Sequence, residues 1–380
     1  MKRIACFVLL FALLLGGRAY ALEPLGAGAL PIAAPSAILM EKCTGTVLYE
    51  KNADERLPPA SVTKVMTLLL LMEDLDAGRL STDEMVTASE RAASFGGSCV
   101  YLEPGEKMSV HEMLKCIAVA SANDCAVAMA EHVSGTEALF VERMNRRSEE
   151  LGLKNTHFTN CTGLFEDPEH YTSARDIALM SRELLQHPRI KEYTTIWMDS
   201  IRGGSFDLAN TNKLVRWYEG CTGLKTGYTA AAMYCLAASA ERDGVEFIAV
   251  VLHGESSDAR NTDASTLLNY AFANFRLCPL RPAQALPKLP VELGAKPSLA
   301  LQVEGEEATL LPRGSGEPSF QLQLPGSVIA PAERGQVLGT LQVRLGEELL
   351  AELPVTAAET VPRLDFWLIF ARLAASLAGI

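Results

Sequence analysis

No two cysteines in this 380-residue chain stand in a C-x-x-C pair, and no histidine has a second one four positions away or an H-E-x-x-H setting. Those absences exclude zinc fingers, zinc-hydrolase helices and thioredoxin-like redox motifs, so no metal site is expected. A basic stripe is missing too. Lys and Arg number 34 against 46 Asp and Glu, a net charge of −12, and that balance argues against a nucleic-acid partner. Internal repeats and low-complexity tracts are also absent, which leaves an ordinary globular chain long enough for two or more buried cores.

What is present begins with a targeting pattern. Lys2 and Arg3 precede an apolar run from Ile4 to Gly16, and Ala19-Tyr20-Ala21 reads as a small-residue cleavage site. The run is too short to span a bilayer comfortably, so residues 1–21 are expected to be a signal peptide and the working protein to be extracytoplasmic. Of nine cysteines, Cys6 lies in that segment. Export permits disulfides, but a chain of this length does not need them, and the other eight are expected to pack as buried free thiols. Cys116 and Cys125 would lie on opposite faces of one continuous helix and so would not bridge locally.

Residues 36–50 alternate as two short strands around Thr44-Gly45. An apolar helix follows from about Val65 to Met72, with no exposed face and hence a central position. From Ser81 to Leu185 the pattern is mainly helical, broken at Ser121-Ala122-Asn123-Asp124, whose side chains favour caps and turns. Beyond Gly220 the period becomes that of strands, with Arg242-Asp243-Gly244 as a hairpin turn, and a helix over "ASTLLNYAFANF" closes the segment. Strands at both ends of a helical block imply one α/β (α+β) sheet carrying an all-helical insertion. The prolines at 279, 282, 287 and 290 mark a linker to a small all-β, sandwich-like domain over 279–356. In the last stretch, 357–380, Asp365, Arg372 and Ser376 share one side of a helical wheel and Phe366, Trp367, Ile369 and Phe370 cover the rest. That distribution predicts an amphipathic helix lying in a membrane interface.

Three short patterns carry chemistry. Ser61-Val62-Thr63-Lys64 puts a hydroxyl and an ammonium one helical turn apart at the start of the apolar helix. Poor solvation lowers a lysine pKa, and a neutral amine beside a serine acts as its base. Ser121-x-Asn123 at the helix break offers a second hydroxyl for proton relay and an amide. Lys225-Thr226-Gly227 on a strand offers a cation and a hydroxyl for a carboxylate, with a glycine that admits a substrate backbone. Each is weak alone; together they occur in this order, separated by 60 and 104 positions (121 − 61 and 225 − 121). S-x-x-K, a Ser–Asn element and K-T-G form the signature of serine β-lactamases and penicillin-binding proteins.

With "TGTVLYEKNADERLPPASVTKVMT", "VASANDCAVAMAEHV" and "GLKTGYTAAAMYCLAASAERDGVEFIAVVLHG", nearly the whole chain resembles the D-alanyl-D-alanine carboxypeptidases of serine peptidase family S11, the low-molecular-mass penicillin-binding proteins. "APAERGQVLGTL" resembles their small C-terminal β domain. The resemblance implies a catalytic domain over 22–278, a penicillin-binding fold and a membrane-anchoring terminal helix. It implies Ser61 as acyl-ester nucleophile, Lys64 as proton acceptor, Ser121 as relay with Asn123 in support, and Lys225 with Thr226 and Gly227 at the substrate. The backbone N–H groups of Ser61 and Tyr228 would form an oxyanion hole, and Arg260 would lie near the substrate carboxylate. A surface arginine following a strand is an equal alternative for Arg260 on charge arguments. The implied partners are a peptidoglycan stem peptide, β-lactams as inhibitors and the membrane surface, with no cofactor. Cys43, Cys161 and Met233 depart from the family pattern, and Met233 replaces a frequent glycine. Two rival readings share the signature. A class A β-lactamase would need a water-activating glutamate, for which Glu166 and Glu169 stand in the right region without the E-x-x-L-N pattern. A non-catalytic wall-binding protein would be expected to lack part of the Ser61, Lys64, Ser121 and Lys225 set.

Overall fold

The computed structural model describes residues 22–367, 369 and 370. The expected signal peptide, 1–21, and residues 368 and 371–380 of the expected terminal helix lie outside the described residues; the first part of that expected helix is not helical, since Ala357 ends a strand and Val361 and Arg363 form β-bridges. The described chain divides into two compact units, one from Leu22 to Leu277 and one from Cys278 onward.

In the first unit one antiparallel sheet of five strands is assembled from both ends of the segment. Its order is Val47–Lys51, Ser36–Glu41, Val245–Gly254, Met233–Arg242, Cys221–Thr229. The hairpin turn falls where expected, with Asp243 and Gly244 both at positive φ, the geometry that matches strand twist. Strand Val245–Gly254 is buried at nearly every position, because the helices Ala174–Leu184 and Ser257–Asn274 both pack on it. Ile248, Val250 and Leu252 join the core of the helical block. At the centre of that block lies the helix Lys64–Asp76, in which only Glu73 and Asp76 reach solvent appreciably.

The helical block is less uniform than its sequence pattern. Met85–Thr87 pairs with Lys107–Ser109, and Met198–Ile201 pairs with Phe206–Ala209; strands of three or four residues are too short to display a period. The break at Ser121 is real. A π turn over Cys116–Ala120 ends at Ser121 in the left-handed region, φ 62, and a new helix runs from Asn123 to Ser134. Because the helix does not continue through, Cys116 and Cys125 do not sit on opposite faces; the two thiols interact, and burial pushes that of Cys125 well up. All eight described cysteines are unbridged. Five are buried, but Cys43 is exposed, against expectation.

Up to Val361 the described residues of the second unit are β: they include a four-stranded sheet, a three-stranded sheet and two small cores, one around Leu341, Val343 and Val355 and one around Leu299, Ala332 and Val361. Pro279 and Pro290 lie within strands Phe275–Pro279 and Leu289–Glu292, so the linker read from the four prolines shrinks to 280–288. Proline is tolerated at strand ends and edges, where no ladder N–H is needed.

Candidate active site

Local sequence places the first two groups. Pro58 and Pro59 lead into a single 3-10 turn, Ala60–Thr63, whose last residue begins the helix Lys64–Asp76. Ser61 and Lys64, three positions apart, therefore lie on one side of the chain. Lys64 is 0 % exposed. Its Nζ donates to Ser61 Oγ at 2.9 Å, to Asn123 Oδ1 at 2.6 Å and to the carbonyl of Thr162 at 3.0 Å. All three acceptors are neutral. Burial therefore dominates, and it lowers the Lys64 pKa to about 7.

Asn123 is oriented by its other atoms: its side-chain amide donates to Gly96 O and its backbone N–H to Ser98 O, both at 2.7 Å. With the amide hydrogens committed there, Oδ1 faces the lysine. Ser121 stands two residues earlier, its hydroxyl buried and without a partner. It is bonded to neither lysine in this state.

The third pattern lies on the edge strand Cys221–Thr229. Gly227 lets that strand approach the Ser61 turn: a β-carbon there would lie 2.6 Å from Pro59 O and 3.1 Å from the Ser61 nitrogen. Lys225 is 1 % exposed and donates to Thr226 O at 2.9 Å. Its pKa is pushed well down, first by burial and then by the charges of Lys64 and Arg260. The Thr226 hydroxyl donates to Thr211 Oγ1 at 2.7 Å. Tyr228, by contrast, is exposed, its ring 4.5 Å from that of Tyr234.

Arg260 is not a surface residue. It lies inside the helix Ser257–Asn274, which starts earlier than its apolar stretch suggests because Ser256 caps it. Only 5 % exposed, it donates through Nη1 to Gly227 O at 3.3 Å and Cys235 O at 3.2 Å, while Nε has no partner. Three buried cations thus surround the site, and among the described residues none of them is bonded to a carboxylate. An anion entering here would meet basic side chains with no competing carboxylate.

The sequence reading missed the loop that closes the far side. Asn160 Oδ1 accepts from the backbone N–H groups of Thr162 and Gly163, the carbonyl of Cys161 accepts from Thr67 Oγ1, and Thr162 O reaches Lys64. An Asn with a Gly three residues on is the only signal this loop leaves in the sequence. Gly163 is at φ +72 and a β-carbon there would fall 1.9 Å from Ala60 O. Cys161 itself is buried with Glu137 as its partner, so this departure from the family pattern is absorbed by packing. Met233 sits at φ 52, a conformation that favours glycine. Beside the Ser61 turn, Pro59, Ala60, Phe165, Glu166, Thr229 and Ala231 bound a cavity of about 750 Å³.

Residues 24–256 match the family described as D-alanyl-D-alanine carboxypeptidase (peptidase S11). The chain belongs to that family. Residues 283–363 match the C-terminal domain of penicillin-binding protein 5. A D-alanyl-D-alanine carboxypeptidase of Bacillus subtilis is 44 % identical over 88 % of this chain and 87 % of its own length; one from Escherichia coli is 32 % identical over 87 % of this chain and 84 % of its own. Among solved structures, penicillin-binding protein 5 of Haemophilus influenzae superposes with a TM-score of 0.73 at 30 % identity, covering 87 % of this chain and 98 % of that one.

Proposed function

We propose that Ser61 is the nucleophile of a D-Ala-D-Ala carboxypeptidase that trims peptidoglycan stem peptides, and that Lys64 is its base. The observation that carries this reading is the buried Lys64 ammonium, 2.9 Å from Ser61 Oγ, with only neutral partners and a pKa lowered to about 7. Near neutral pH a large share of the lysine is free amine, able to take the serine proton as Oγ attacks the carbonyl between the two D-alanines.

The terminal carboxylate is drawn to Lys225, the Thr226 hydroxyl and the Arg260 side of the strand. The rest of the peptide then leads along the strand toward Thr229 and the cavity there. The N–H groups of Ser61 and Tyr228 receive the developing oxyanion. Ser121, whose hydroxyl is otherwise uncommitted, passes the proton to the departing amine, and free D-alanine leaves. Water then hydrolyses the Ser61 ester. A β-lactam acylates the same oxygen and is released slowly.

The lactamase reading has no support in the geometry. Glu166 is exposed and accepts the Ala231 N–H at 3.3 Å, and neither it nor Glu169 is bonded to Ser61 or Lys64. The decisive assay measures D-alanine release from a pentapeptide ending in D-Ala-D-Ala, with Ser61→Ala alongside, and turnover of a chromogenic cephalosporin. Release that disappears with Ser61→Ala, together with slow cephalosporin turnover, supports the proposal; fast turnover without D-alanine release refutes it.

We also infer export and a peripheral membrane position, from the charged, apolar and small-residue order of residues 1–21 and from Phe366, Trp367 and Phe370, all exposed where the described chain ends, Trp367 to 73 %. No described helix is long and apolar enough to cross a membrane. Co-sedimentation with phospholipid vesicles that is lost in Trp367→Glu supports this; binding unaltered by Trp367→Glu and Phe370→Glu together counts against it.

A further inference from the structure

His170 takes no part in the chemistry above, yet it is the one buried histidine of the six, 4 % exposed beneath the cavity wall. Its ring connects two elements. The backbone N–H of Thr159 reaches Nδ1 at 3.1 Å, and Thr63 Oγ1 lies 2.8 Å from Nε2. A backbone N–H only donates, so Nδ1 is the bare nitrogen and Nε2 carries the hydrogen. Burial lowers the His170 pKa to about 4, outweighing the nearby Asp167 carboxylate, so the ring is neutral under ordinary conditions. The direction of the whole chain follows: Thr159 N–H to His170, His170 Nε2–H to Thr63, and the Thr63 hydroxyl to Ala60 O at 2.8 Å.

The end of that chain is the informative part. Ala60 is held at φ +48, a conformation that strains a residue with a β-carbon. Its carbonyl and the Ser61 N–H belong to one planar trans peptide and point in opposite directions. Fixing the carbonyl toward Thr63 therefore aims the N–H the other way. On the carbonyl side the peptide is met by Gly163; on the nitrogen side Gly227 of the edge strand passes close to the Ser61 nitrogen.

We propose that His170 is a positioning residue: through Thr63 it locks the Ala60–Ser61 peptide plane and so holds the Ser61 N–H where the oxyanion forms. The inference rests on the reading of Ser61 as nucleophile and oxyanion donor. Its effect belongs to the transition state, so binding of the stem peptide is not expected to depend on it.

The test compares wild type with Thr63→Val, His170→Asn, the double variant, Thr63→Ser and His170→Gln. Measured are the second-order rate of acylation by a penicillin, kcat and KM for D-alanine release, and the thermal midpoint. Loss of one oxyanion donor lowers rates by about a hundredfold or more, so a misaimed one is expected to lower acylation about tenfold to a hundredfold. KM should change little, and the pH midpoint of the Lys64 limb should stay near 7. Thr63→Ser restores the hydroxyl, and His170→Gln restores a donor at the Nε2 position; both are expected within about threefold of wild type. The double variant should be no slower than the worse single one, because both break one chain. If the single variants fold and acylate within twofold of wild type, or if their losses multiply, the inference is overturned while the function stands. If Thr63→Val does not fold, Thr63→Ala against Thr63→Ser decides the same point. A wild type that neither acylates nor releases D-alanine refutes the functional reading, and this inference with it.

Discussion

The two ends of the helix Lys64–Asp76 handle buried charge in opposite ways. At its C-terminal end the carboxylate of Asp74 is clasped by Arg143 at 2.8 Å and Arg79 at 2.7 Å. The preceding residue, Glu73, pairs with Arg147, which also holds Glu183 and Glu150. At its N-terminal end Lys64 is buried more deeply, yet only a hydroxyl, an amide and a carbonyl oxygen contact it. A buried charge facing an opposite charge keeps its ionisation state, and its pairing serves cohesion. A buried charge facing only dipoles pays desolvation without that return, so its proton becomes easy to remove. Lys225 and Arg260 repeat the second arrangement across the cleft. At the end away from the cleft the helix has its charges matched, and at the end that carries the proposed base they are left unmatched.

Breaking the unmatched end should have the largest effect. Lys64→Met removes the base, and penicillin acylation is expected to fall about a thousandfold in a folded protein, as followed by covalent labelling of Ser61. Next, Gly227→Ala drives a β-carbon to within 2.6 Å of Pro59 O. It should separate the edge strand from the nucleophile turn, slowing acylation about a hundredfold and lowering stability by about 1 to 3 kcal/mol in urea unfolding.

The electrostatic contrast can also be sharpened by titration. The active form of Lys64 is the free amine, so the acylation rate should rise as pH increases through about 7 and level off above it. Asn123→Asp places a carboxylate where an amide oxygen now sits 2.6 Å from Nζ. Making the reactive end resemble the structural end should raise the lysine pKa and move that limb upward by about one unit or more, read from the pH profile of acylation. The smallest effect on chemistry belongs to the matched end. Asp74→Asn should reduce stability by about 1 to 3 kcal/mol while leaving acylation per folded molecule unchanged.

Much of this arrangement is legible in the residue order. Two strands, a buried helix, a helical block broken at Ser121, and three strands with a closing helix follow from period and turn chemistry, and the sheet they form has the expected composition. Ser61 and Lys64 are three positions apart, so any helical turn brings them together. The same order conceals the loop Asn160–Gly163, the role of His170 and the burial of Arg260. Those contacts join residues separated by 98 positions for Thr162 and Lys64 and by 107 for Thr63 and His170, and no local period reports them. Of the two readings of Arg260, only the surface one fails; its burial was hidden because the polar first turn of its helix, capped by Ser256, has no apolar stripe to announce it.

Residue order alone therefore decided which groups are available and which neighbours share a turn, because backbone geometry couples residues three and four apart regardless of their surroundings. The packed structure decided what those groups can do. Whether Lys64 is an ordinary ammonium or a base near neutrality depends on how completely water is excluded from it and on the absence of a nearby carboxylate. Both conditions are set by distant segments folding against it.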